Sequence, residues 1–141
     1  MEHETLTAML APAFFLTATA SLLISANTRL ARIVDRARQL MLDAASAEPA
    51  YDRDRLIADI EFQKRRGEIM MRTAQLLYVA MGFFVCTSLA VAAGGLWPGV
   101  PEFAPILMAC IGVAAILLAS ILLSRESTLA VIAMKQEMDR I

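Results

Sequence analysis

With one histidine, two cysteines and only 6% aromatic residues, the chain is poor in the side chains that most often ligate metals or carry catalysis. His3 stands near the beginning, and Cys86 and Cys110 lie within apolar runs. No phosphate-cradling glycine-rich loop and no paired carboxylates within an apolar run occur. This inventory predicts no catalytic residues, no metal site, since the ligands are too few, and no cofactor.

A second scarcity is more informative, because charge is absent from three long stretches: Thr5 to Thr28, Thr73 to Pro101 and Phe103 to Ser124. Each is at least as long as the ~20 residues a helix needs to cross a ~30 Å hydrocarbon core. With 58% hydrophobic residues and a mean hydropathy of +0.59, the chain reads as a membrane protein with three spans, at about 6–27, 74–96 and 103–124. Cysteines inside spans act as small apolar residues, so they say nothing of a redox compartment.

Where charge does appear, it is one-sided. Of the 13 Lys and Arg, ten lie between the first two spans and three follow the third. By the positive-inside rule the N-terminus is expected outside, with the hairpin 28–73 and the C-terminal helix 125–141 in the cytoplasm. The start of the chain, with Glu2 and Glu4, lacks the basic region of a cleavable signal and reads as a retained anchor. The hairpin holds ten basic against eight acidic residues and only Tyr51 and Phe62 as aromatics, which argues against nucleic acid as a partner.

Two places punctuate the helical pattern. Pro49, in the stretch from Ala44 to Tyr51, marks a tight helix-helix turn, and Gly94, Gly95, Pro98, Gly99 and Pro101 mark a short external turn with Trp97 at an interface position. Between them the pattern predicts an all-α membrane protein of one domain: three long antiparallel helices, near 4–47, 51–95 and 102–140, continuing from the membrane into a cytoplasmic helical rod. Pro12 calls for either a kink or a late start in the first helix. The apolar seam of the hairpin is expected along Leu30, Val34, Ala37 and Met41, then Leu56, Ile60, Gln63, Gly67 and Met70.

Three constellations carry what functional signal there is. Thr17, Ser21, Ser25 and Thr28 recur at helical spacing, either as a polar pore face or as a packing face whose hydroxyls bond carbonyls four residues back. Gly82, Cys86, Ala90 and Gly94 form a small-residue seam on the second span, with Gly112 in its counterpart on the third, both expected chiefly to pack the protomer's own helices. At the span ends, Asn27, Arg29, Arg32, Arg36, Arg72 and Glu126 fall near one membrane interface. Glu126 is expected to pair with Arg29 or Arg72 as a clamp, and the arginines to contact anionic lipid headgroups of the bilayer, with Arg38 on the opposite face.

The segments NTRLARIVDRARQL, KRRGEIMMRTAQLL, FFVC and LLSRESTLAVIAM together resemble an uncharacterised family of small bacterial three-span inner-membrane proteins, a domain of unknown function. The similarity covers most of the chain in the same order. It implies a bacterial inner membrane and an all-helical fold, and it brings no activity. The leading expectation is therefore a non-enzymatic homo-oligomeric membrane assembly, a channel being one form it could take. The alternatives are an accessory or scaffold subunit that docks a protein partner through its cytoplasmic hairpin, and a protein that binds anionic lipid.

Overall fold

A computed structural model describes residues 2–46, 50–94, 101 and 103–138. They form α1 (Glu2–Ser46), α2 (Ala50–Gly94) and α3 (Phe103–Met138), with no strand among the described residues. The helices are antiparallel in sequence order. At about 1.5 Å per residue, α1 and α2 are each roughly 67 Å long, far more than a bilayer requires. All three contain windows long and apolar enough to cross a membrane, so the chain is a multi-pass membrane protein. The expected turns at Pro49 and around Trp97 lie outside the described residues.

α1 begins at Glu2, so Pro12 lies well within the helix and the late-start alternative falls away. Its ring leaves the carbonyl of Ala8 without the usual amide donor. At the same end of the bundle, Pro101 offers its carbonyl to the amide of Ala104 at 3.0 Å, closing the turn that opens α3. Pro105 sits in the first turn of α3, where no intrahelical donor is needed.

α2 is the central helix. It packs along both α1 and α3, which scarcely touch each other. Its buried residues Met70, Thr73, Leu77, Ala80, Phe84 and Thr87 alternate at spacings of three and four, the repeat that keeps one seam turned toward neighbouring helices. One apolar cluster joins Leu23 and Ala26 of α1, Ala74 and Leu77 of α2 and Ala119 of α3. A second, toward the other membrane face, is built on Ala80, Phe84 and Ala115, with Leu16 against it. Phe84 is fully buried and stacks on Phe15 with ring centroids 5.2 Å apart.

Only 22%, 22% and 17% of the three apolar windows is buried inside the protomer, so most of their surface is left for lipid or another chain. The seam expected on α2 holds: Leu56, Ile60, Gln63 and Gly67 are at least partly buried and Met70 is fully so. On α1 the expected seam is rotated. Leu30 and Ala37 are half-buried, but Val34 and Met41 face outward, and Ile33 and Leu40 take the inner positions, in line with Ala26 at seven-residue spacing.

Candidate functional site

The three helices meet in polar chemistry where the apolar stretches end. Glu126, two residues past the charge-free part of α3, is 2% exposed although it is a carboxylate. A buried carboxylate is costly unless charge and hydrogen bonds compensate it. Arg66 of α2 supplies most of that compensation, donating from Nε at 3.1 Å and from Nη2 at 2.5 Å to the Glu126 Oε1. Arg29 of α1 donates from Nη1 to the Glu126 Oε2 at 3.3 Å and to the Ser127 hydroxyl oxygen at 2.7 Å. One carboxylate thus ties α1, α2 and α3 together, at a level where α1 and α3 otherwise have little contact.

The clamp differs in one member from the sequence expectation. Arg29 is the partner foreseen, but Arg72 is exposed and forms no ion pair among the described residues, and Arg66 takes its place. Arg66 lies four residues before Met70 and seven before Thr73, on the buried seam of α2. Arg72 is two residues beyond Met70 and therefore on the far side. The heptad pattern of α2 carried that signal. The Arg66 guanidinium also lies over the Phe62 ring, 5.9 Å from its centroid, at the outer reach of a cation–π contact.

Beside the clamp is a cavity of about 340 Å³, whose charged lining is Arg29, Arg32, Arg36, Arg66 and Glu126. Arg38 is excluded from it and lines a different, mainly apolar groove of about 390 Å³ between α1 and α2, together with Ile33, Ala37, Met41 and Ile60. The division of the arginines between two faces of α1 is thus as the spacing predicts. Gln63 stands in the walls of both spaces, and its side-chain oxygen is buried without a hydrogen-bond partner. Asn27, at the same level, is exposed.

The hydroxyl stripe of α1 points away from the protomer's own helices, since Thr17, Ser21, Ser25 and Thr28 are all exposed. Thr17, Ser21 and Thr28 donate to the carbonyls of Ala13, Thr17 and Ile24 at 3.1, 3.1 and 2.8 Å. Their protons are therefore committed, and what remains outward is oxygen lone pairs. The hydroxyls that do enter the core are Thr19, Thr73 and Thr87, each bonded to the carbonyl four residues back at 2.6, 2.9 and 2.8 Å.

The two small-residue seams also part company. On α3, Gly112, Ala115 and Ala119 are buried. A Cβ at Gly112 would lie 2.9 Å from Cε1 of Phe84, so any larger residue would force that ring to shift. On α2, Gly82, Cys86 and Gly94 are exposed, Ala90 is half-buried, and a Cβ at Gly82 or Gly94 would meet nothing within 4 Å. Packing within the protomer explains Gly112 and leaves the outward α2 seam unused. Both cysteines are exposed, and no cluster of metal-ligating side chains occurs among the described residues.

Compared with known proteins, residues 9–136 match the model of a family described as protein of unknown function (DUF2721). The chain belongs to this family, which agrees with the resemblance seen in its sequence. No curated protein and no solved structure matches it.

Proposed function

We propose that this member of the DUF2721 family is a non-enzymatic, homo-oligomeric membrane assembly whose protomers join through the charged half of the rod and the adjoining small-residue face of α2. The observation that carries this reading is apolar surface beyond the reach of lipid. Val34, Met41, Leu42 and Ile57 are 47%, 55%, 66% and 51% exposed, past the level of Arg29 and Arg72, beside the apolar groove between α1 and α2. Apolar side chains facing hydrocarbon cost nothing, whereas several of them facing water favour a covering surface. A second copy offers one of the same character.

Within the bilayer, Gly82, Cys86 and Gly94 give that neighbour a face on which helix backbones can approach closely. By the positive-inside rule the charged half is cytoplasmic and the N-terminus outside, and the resemblance seen in the sequence implies a bacterial inner membrane. In the channel form of the assembly, the stripe from Thr17 to Thr28 turns toward the shared axis and presents oxygen lone pairs, a lining suited to cations.

The test is light scattering of the full chain in a mild detergent, beside the variant V34E/M41E. Oligomer is expected for the unsubstituted chain and a shift to monomer for the variant. A monomer in both cases sinks the proposal. The second reading, docking of a different protein at the hairpin, draws on the same groove, because Arg38 and Lys64 flank its apolar floor and suit an acidic amphipathic helix. A photo-crosslinker at position 41 in native membranes separates the two: self-adducts support the oligomer, and adducts with another protein alone replace it.

A further inference from the structure

The clamp accounts for two of the four arginines around the 340 Å³ cavity and leaves the other two unexplained. Arg32 and Arg36 are exposed, line the cavity, and form no ion pair among the described residues. Arg29, Arg32 and Arg36 follow one another at three and four residues, so three like charges share one face of α1 and repel each other. Arg66 adds a fourth across the gap. Against these four positive charges stands the single carboxylate of Glu126, with both oxygens already engaged. The cavity therefore carries a net charge of +3, from four arginines and one glutamate.

Position narrows what would neutralise it. Arg29 directly follows the charge-free stretch of α1, and Glu126 lies two residues past that of α3, so the cavity opens where headgroups meet water. Guanidinium forks match phosphate oxygens in geometry as well as in charge, and their weak hydration lets them leave bulk water at modest cost. The volume is at the lower end of the range for small-molecule sites and is suited to a single headgroup.

We propose that this cavity binds a net-anionic phosphate group, held by Arg32 and Arg36 from α1, with the Arg66–Glu126–Arg29 clamp as its floor. The phosphate comes from an acidic lipid headgroup or from a soluble phosphate. Glu126 is a positioning residue, because it aims Arg29 and Arg66 and has no oxygen to spare for a ligand. This site is independent of the oligomer proposed above: it is complete within one protomer.

The test uses the full chain purified in a mild nonionic detergent, with lipid retention read by native mass spectrometry. Phosphatidylglycerol, phosphatidylcholine and inorganic phosphate are the probes. Phosphatidylglycerol is expected to be held in preference to phosphatidylcholine. The variant R32Q/R36Q should weaken binding roughly 30-fold, about fivefold for each arginine lost. R38Q, on the other face of α1, should change it less than about twofold.

Failure of excess inorganic phosphate to displace phosphatidylglycerol assigns the site to lipid, and displacement assigns it to a soluble phosphate. Helix content by circular dichroism and elution volume check that the variants fold. Should R32Q/R36Q fail that check, R36Q alone provides the same test at about fivefold. The proposal is overturned if R32Q/R36Q retains the probes as tightly as the unsubstituted chain, or if R38Q loses as much.

Discussion

The glutamate clamp makes the sharpest demand on stability. Replacing Glu126 by Gln keeps the shape of the side chain and removes its charge, so Arg66 loses its counter-ion at a position where its side chain is only 17% exposed. Breaking a buried ion pair from one side costs ~3–5 kcal/mol. Arg66 is not fully buried and the amide oxygen still accepts a hydrogen bond, which brings the expected loss to about 2–3 kcal/mol. Arg29 contributes little of this, because its side chain is 43% exposed and its contact is longer, at 3.3 Å. Exposed pairs of that kind are worth ~0.2–1 kcal/mol.

The order of effects follows. R66Q, which strands a carboxylate that is 2% exposed, should destabilise by about 3 kcal/mol or more, E126Q by about 2–3, and R29Q by less than about 1. E126L/R66M, which removes both charges in favour of apolar groups, should return to within about 1 kcal/mol of the starting chain. Unfolding in mixed micelles of a mild detergent and dodecyl sulfate, followed by circular dichroism, measures all four variants. The reasoning is refuted if R29Q costs as much as R66Q, or if E126Q leaves the midpoint unmoved.

G112A should cost about 1–3 kcal/mol in the same assay, since its methyl would press on a Phe84 ring already held against Phe15. Gly82 is exposed and a Cβ there meets nothing within 4 Å, so G82L should leave protomer stability unchanged or slightly raised, by up to about 1 kcal/mol from helix propensity, while lowering the oligomer fraction in light scattering. Q63L removes a buried amide oxygen that has no partner and should be neutral or stabilising by up to about 1–2 kcal/mol, read as a raised unfolding midpoint.

The level of the clamp was legible before the structure, whereas its membership was legible only in part. Arg29 and Glu126 announce themselves by ending charge-free stretches. Arg66 does not, because it lies about two turns from the start of the second span, and its role depends on facing the seam of α2 and on a long side chain reaching back along the rod. The proximity of Arg72 to the membrane pointed the other way. The outward turn of Gly82 and the inward turn of Gly112 were likewise hidden, since both belong to the same kind of small-residue repeat.

Length and charge were enough to establish three spans, three long helices and the gathering of basic residues beyond them, because the thickness of hydrocarbon and the cost of burying charge act on each segment by itself. The rotation of each helix about its axis was a different matter. In water an apolar stripe marks the buried face, but in a bilayer both faces are apolar: Ile24 and Phe14 face outward and are as hydrophobic as Leu23 and Phe84, which face inward. Only tertiary packing decided which residues turned inward, and with them which arginines meet Glu126 and which are left to line a cavity. Lipid solvates an apolar side chain as well as a protein core does, so the choice rests on the close fit of small residues and on one buried carboxylate that must find its donors.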